Sequence, residues 1–214
     1  MSLGGRLRWA LAAVVLGALF LLEGWVTLRT GTGTRLDTDV ASAVLNGIDE
    51  RIRLDLSTLA RPVIIVALAP VVALLVIHCL VRRSWRRALA GVLVPLGSTV
   101  LALLLRAEDL FRTGEAAFPS NHAAVALSLL AATLLTWPAR VNRWGLFVGG
   151  VAALSIGLGN VSWYAHQPRD VVGSALLVGC VTAAVVAVLG GDTANLSDAV
   201  APRLGQRTEV HTRA

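Results

Sequence analysis

The sequence predicts an all-α protein that crosses a membrane with six helices. Of its 214 residues, 56% are hydrophobic and only 15% are charged, and the mean hydropathy is +0.72. In a soluble domain about a quarter of the residues are charged. So few charges in so apolar a chain indicate that a bilayer surrounds most of it.

Six apolar runs supply the predicted helices, and tryptophan marks their ends. Crossing the hydrocarbon core takes about 20 residues, and the third and fourth runs are slightly shorter than that. Interfacial aromatic side chains are typical of span ends, where Trp9, Trp25, Trp137, Trp144 and Trp163 lie. The runs are Trp9–Leu28, Pro62–Val81, Ala88–Leu105, Ser120–Trp137, Trp144–Trp163 and Val171–Gly190. They predict one membrane domain over residues 1–190 and a polar cytoplasmic tail over 191–214. The first run exceeds the apolar part of a signal peptide and lacks a cleavage site after it, so it is expected to be retained.

The distribution of charge predicts the orientation and excludes nucleic acid as a partner. All 19 basic residues are arginine, and they lie between the apolar runs and not in one stripe, which favours membrane topology and anionic lipid. The densest short basic segment, residues 82–87, links the second and third runs. The positive-inside rule then places both termini in the cytoplasm of a bacterium and the loops 29–61, 106–119 and 164–170 outside its plasma membrane.

The 29–61 loop is too long for a turn and carries a helical pattern. Its apolar residues recur at helical spacing between Asp39 and Leu59, namely at Val40, Val44, Leu45, Ile48, Ile52, Leu56 and Leu59. This predicts an amphipathic helix on the membrane surface that covers or gates a site. Cys79 and Cys180 each lie inside an apolar run without a ligand cluster, so neither a structural disulfide nor a metal site is expected.

One outward segment has the chemistry of an anion site. Pro119-Ser120 opens the fourth helix, and Ser120 is a favourable N-cap. The free N–H groups and positive dipole of a helix start suit phosphate. Arg106 and Arg112 precede this start and could donate charge-assisted hydrogen bonds to phosphate oxygens, although both could equally be interfacial anchors.

A second outward segment supplies a nucleophile. Pro168 opens the sixth helix, with His166 just before it and Asp170 in its first turn. A carboxylate bonded to one imidazole nitrogen leaves the other available for attack. His122 could protonate the leaving oxygen. Converging polar groups at a membrane boundary are usually functional, and together these predict phosphoryl transfer.

These residues resemble those of the type-2 phosphatidic acid phosphatases, over about residues 88–190. Pro119-Ser120-Asn121-His122 resembles their Pro-Ser-Gly-His motif, and His166-x-x-x-Asp170 resembles the end of their Ser-Arg-x5-His-x3-Asp motif. The resemblance implies that His166 forms a phosphohistidine, Asp170 orients it and His122 is the general acid. It also implies that Ser120 and Arg112 hold phosphate oxygens, and that no metal or other cofactor is needed.

The sequence departs from the family pattern where the family binds phosphate. Asn160 stands at the position of the third-motif arginine, and Asn121 replaces the glycine of Pro-Ser-Gly-His. Arg106 precedes Arg112 by six positions where the first motif has a lysine seven positions before its arginine, and Thr113 replaces the following proline. A charged hydrogen bond to phosphate contributes about 1.5–3 kcal/mol, so the change at Asn160 weakens the expected cradle. Arg169 lies close by in sequence and is the candidate to compensate.

These observations predict a metal-independent phosphatase acting on a lipid phosphate or polyprenyl diphosphate. Its partners would be that lipid substrate and the surrounding membrane lipids. The main alternative is a member with impaired catalysis that binds lipid phosphate headgroups as a transporter, sensor or assembly subunit. A phosphotransferase with the same His166 chemistry is a third.

Overall fold

The computed structural model describes residues 3–58, 62–111, 118–138, 143–163 and 166–190, which form eight α-helices and contain no strand. Five of the helices are long and apolar enough to cross a membrane, namely α1, α4, α5, α7 and α8. The prediction of an all-α, multi-pass membrane protein is therefore confirmed. The helices are α1 Leu3–Arg29, α2 Gly31–Gly47, α3 Glu50–Thr58, α4 Ile64–Val81, α5 Trp85–Ala107, α6 Asn121–Thr136, α7 Arg143–Trp163 and α8 Pro168–Leu189.

Helix α6 is short but central. Its 16 residues extend ~24 Å at about 1.5 Å per residue, less than the ~30 Å of a hydrocarbon core. It packs against α4, α5, α7 and α8, and its small side chains let those helices approach closely, since Ala123, Ala124, Ala126 and Ala132 are fully buried. The count of six spans stays a prediction because α6 falls short of the usual length.

The ends of the helices form two opposite groups. At one end, Arg86 donates to the carbonyl of Gly190 at 3.2 Å, joining the start of α5 to the end of α8. At the other, the main-chain N–H of Ser120 donates to the carbonyl of Asp170 at 3.0 Å, joining the starts of α6 and α8. The two histidine segments therefore meet at the end opposite the arginine-rich turn, as predicted. The compartment that each end faces stays a prediction.

The loop between the first two apolar runs is helical in two pieces, not one. Helix α2 begins after Thr30, whose side chain accepts from the N–H of Gly33 at 3.0 Å, and it ends at an extended Ile48. A Cβ at Gly33 would lie 2.2 Å from the carbonyl oxygen of Val26, so glycine is needed for the tight turn from α1. Helix α2 packs on α1, α7 and α8, and α3 packs on α7. Both helices thus lie at the end that carries the histidines.

Candidate functional site

The start of α6 is built around Ser120. Its Oγ accepts from the N–H of Ala123 at 3.3 Å, and its carbonyl accepts from Ala124 at 2.9 Å. The predicted N-cap is therefore confirmed. Ser120 is fully buried, so its hydroxyl lies within the protein, and its expected role in holding phosphate stays a prediction.

The start of α8 places His166 beside Asp170. Pro168 is the first helical residue and Gln167 the N-cap, as expected for a proline that lacks an N–H. Oδ2 of Asp170 accepts from the Gln167 N–H at 3.0 Å and lies 3.4 Å from Nδ1 of His166. The Asp170 side chain is 1% exposed and that of His166 is 15% exposed. With Nδ1 directed at the carboxylate, Nε2 is the nitrogen left for chemistry.

Two buried contacts tie these two helix starts together, and a third lies within α8. Besides the bond from Ser120 N–H to the Asp170 carbonyl, the hydroxyl of Ser174 lies 2.8 Å from the Ser120 carbonyl oxygen and 2.6 Å from that of Asp170. Ser174 was not predicted as part of the site. The available signal was a serine one turn after Asp170 inside an otherwise apolar run.

These hydrogen bonds hold the starts of α6 and α8 together, so that the two histidines face each other. The imidazole centroids of His122 and His166 are 6.5 Å apart, and the rings are tilted by 56°. In-line transfer needs about 3 Å from the nucleophile to phosphorus and about 3 Å from the acid to the leaving oxygen. The two rings are therefore near enough to each other for both to contact one phosphoryl group.

Arg169 has carboxylate partners on two helices. Its main-chain N–H donates to Oδ1 of Asp37 at 2.8 Å, and its guanidinium Nη1 lies 3.2 Å from Oδ2 of the same residue. Its Nε lies 3.8 Å from Oδ1 of Asp170. The charge of Arg169 is thus shared between α2 and α8, and the substrate contact expected of it stays a prediction. Burial raises the pKa of the Asp37 carboxyl, as does the nearby charge of Asp170, while Arg169 opposes the shift.

A third carboxylate, that of Glu23, lies near Asp37 and Asp170. Glu23 of α1 has its Oε2 buried, with no hydrogen-bond partner among the described residues. It lies close enough to Asp37, Arg169 and Asp170 for their charges to act on it. Glu23 is not among the predicted site residues, although an ionisable side chain within an apolar run is itself a signal of function.

The two asparagines that replace family residues are both buried oxygen acceptors. Asn160 is 1% exposed, and its Nδ2 donates to the Ile156 carbonyl at 2.7 Å. Neither its Oδ1 nor that of Asn121 has a hydrogen-bond partner within the described ranges. Where the family resemblance would place a donor to phosphate, Asn160 therefore uses its donor on its own helix. No hydrogen bond in the described part of the chain joins Asn160 to His166.

The predicted arginine cradle stays a prediction, because one of its two members is not among the described residues. Arg106 lies in the last turn of α5 with a partly exposed side chain, which makes no hydrogen bond or ion pair with any described residue. Arg112 lies outside the described residues. Within the described ranges, no group of three or more His, Cys, Asp or Glu side chains could hold a metal ion. The groups brought together are His122, His166 and Asp170, with Ser120, Asn121 and Arg169 beside them.

Comparison of the sequence with known protein families identifies the family of this chain. The chain matches the model described as the PAP2 superfamily over residues 40–193. It belongs to the PAP2 superfamily. The match runs from α2 to beyond the end of α8, and so includes both histidine segments. PAP2 superfamily members are generally phosphoesterases, which supports a hydrolase of phosphate esters as the class of this chain. No curated protein and no solved structure matches the chain.

Proposed function

We propose that this protein is a lipid phosphatase that hydrolyses a lipid phosphate or a polyprenyl diphosphate through a phosphohistidine. The observation that carries the proposal is the His166–Asp170 pair, 3.4 Å apart, facing His122 across 6.5 Å. Membership of the PAP2 superfamily supports the reaction class. The five apolar helices support a membrane lipid as the carrier of the phosphate.

In the first step, Nε2 of His166 attacks phosphorus. The bond between phosphorus and the lipid oxygen breaks, and its electron pair goes to that oxygen, which takes a proton from His122. Asp170 holds the ring by Nδ1 and stabilises the positive charge that develops on it.

In the second step, water attacks the phosphorus of the phosphohistidine. His122, now neutral, accepts a proton from that water. The phosphorus–nitrogen bond breaks, inorganic phosphate leaves, and both histidines return to their starting state. No group outside the chain, the lipid and water is required for the balance.

The phosphate oxygens are expected at the start of α6 and not at the start of α8. The first turn of α8 contains Asp170, and its Arg169 N–H is taken by Asp37. The first turn of α6 contains no acidic residue, so its positive end is not neutralised in the same way.

The direct test is phosphate release by the purified full-length protein in EDTA. Wild type should release phosphate from lipid phosphates in mixed micelles, and His166→Ala should not. A radiolabelled phosphate trapped on the protein in acid-labile form should appear in wild type and be absent from His166→Ala. Equal rates in the two proteins would rule out this mechanism.

One observation favours a second function, the binding of lipid phosphate headgroups with little or no turnover. Asn160 is neutral, fully buried and bonded to its own helix, so a donor that the family pattern supplies is missing. Retained headgroup binding without hydrolysis across a panel of lipid phosphates would support this alternative. A gain of hydrolysis by Asn160→Arg would assign the deficit to that position.

A further inference from the structure

We propose that Asp37 is a positioning residue of the site, which acts through Arg169 to fix the turn that carries His166 and Asp170. The inference rests on the proposed phosphatase function. It deepens that function by adding a residue of α2, a helix separated from the histidine motifs in the sequence. Its test can nevertheless be made to fail separately from the phosphatase assay.

The contact itself is specific. Asp37 is 132 positions before Arg169, and one carboxylate engages that residue twice, through the main-chain N–H at 2.8 Å and through Nη1 at 3.2 Å. The carboxylate is buried between the helices, with Asp37 only 5% exposed. Removing a carboxylate from water is unfavourable unless hydrogen bonds and an opposite charge offset it, and Arg169 supplies both.

Arg169 connects Asp37 to the proposed nucleophile, His166, through the carboxylate of Asp170. The two oxygens of Asp170 are divided, since Oδ1 lies 3.8 Å from Nε of Arg169 and Oδ2 lies 3.4 Å from Nδ1 of His166. Oδ2 also accepts from the Gln167 N–H at 3.0 Å, which fixes the carboxylate at the helix start. Asp37, Arg169, Asp170 and His166 thus form one continuous chain of polar contacts from α2 to the imidazole.

If the Asp37 carboxylate is removed, the Arg169 guanidinium keeps only the Asp170 carboxylate as a partner among those named here. A stronger attraction between Arg169 and Oδ1 of Asp170 would rotate the Asp170 carboxylate away from His166. The imidazolium form of His166 would then be stabilised less. Among the described residues, the charged or titratable groups around this chain are Glu23 on α1, Asp37 on α2, His122 on α6, and Arg169 and Asp170 at the start of α8.

The experiment compares Asp37→Asn with Asp39→Asn in the full-length protein. Asp39 lies two positions away on the same helix and is exposed, so its variant makes the same charge change without breaking the contact. Small misplacements of a nucleophile can lower rates by up to about 100-fold, and we expect Asp37→Asn to lower kcat roughly tenfold with little change in KM. Asp37→Glu should restore part of the rate.

A second readout does not depend on turnover. The NMR signal of the His166 Nδ1–H, assigned with His166→Ala, should shift in Asp37→Asn and stay unchanged in Asp39→Asn. A shift of this signal without turnover in wild type would remove the phosphatase proposal and leave the role of Asp37 standing. Normal wild-type turnover, with the same His166 signal and equal rates in the two asparagine variants, would overturn the role of Asp37 and leave the phosphatase standing.

Discussion

Gly173 packs against the aromatic residue that leads into the Pro-Ser-Asn-His segment. It lies three positions after Asp170 on α8, and a Cβ added to it would lie 2.4 and 2.5 Å from ring atoms of Phe118 and 3.3 Å from Oε2 of Glu23. Atoms this close cannot coexist, so Gly173→Ala must displace the ring or separate the helices. Since Phe118 precedes Ser120 by two residues, the displacement should reach the start of α6.

The ring has little room to yield. Phe118 is 7% exposed, stacks on Phe20 at 5.3 Å and meets Phe111 edge-on at 5.3 Å. Overpacking a filled core costs about 1–3 kcal/mol. Replacing a helical glycine by alanine returns about 1 kcal/mol of helix propensity. The net expectation for Gly173→Ala is a loss of about 0–2 kcal/mol in the free energy of unfolding.

Gly150→Ala is the matched control because nothing lies within 4 Å of a Cβ added there on α7. This variant should gain up to about 1 kcal/mol, so the two alanine variants should differ by about 1–3 kcal/mol. The measurement is thermal unfolding of both full-length variants in one detergent, with phosphate release measured in parallel. If Gly173→Ala proves as stable and as active as Gly150→Ala, the argument for a fixed Phe118 ring is refuted. Recovery of stability in Gly173→Ala combined with Phe118→Leu would support it.

Two further predictions concern buried polar contacts. Ser174→Ala should lose about 1 kcal/mol of stability and part of the phosphate release, because its hydroxyl bridges the two helix starts. Ser128→Ala, which loses only a bond to Val125 within its own helix, should keep normal phosphate release, and equal losses in the two would contradict the bridging role. For Asp37, a raised folded pKa means that its contribution to stability is present below the unfolded pKa of about 3.9 and is lost as pH rises through the folded pKa. Melting temperatures of wild type and Asp37→Asn, measured from about pH 4 to pH 7, should therefore converge or cross, and parallel curves would count against this linkage.

Local features of this fold could be predicted because they depend on short stretches of sequence. The apolar run Ser120–Trp137 became α6, Asn121–Thr136, because a proline and a capping serine mark its start. Likewise, Pro168 marks the start of α8. The interruption of the loop helix at Ile48 was not predicted, since the apolar spacing continues through it and only the backbone shows the break.

The contacts between distant segments could not be predicted in this way. Asp37 is one of several acidic residues in the segment between the first two apolar runs, and no spacing distinguishes it from the exposed Asp39. Glu23 and Ser174 lie in apolar runs on α1 and α8, and their proximity to the site depends on how those helices pack. Helix packing is a property of the whole bundle, so a motif could indicate the histidines but not the residues that hold them.

The starts of α6 and α8 differ in the charges that lie beside them. This difference matters because Asn160 stands where the family has an arginine. At α8 the positive end faces Asp37 and Asp170, so its field stabilises carboxylates that orient His166. At α6 no acidic side chain occupies the first turn, and the N-cap is a neutral serine. A phosphate between the histidines would therefore be attracted by α6 and repelled by the carboxylates at α8. Arg169, the cation that lies beside these carboxylates in the described residues, is already paired with Asp37 and Asp170. We therefore expect the main-chain N–H groups at the start of α6 to contribute to phosphate affinity, which is where the loss of a donor at Asn160 would be offset.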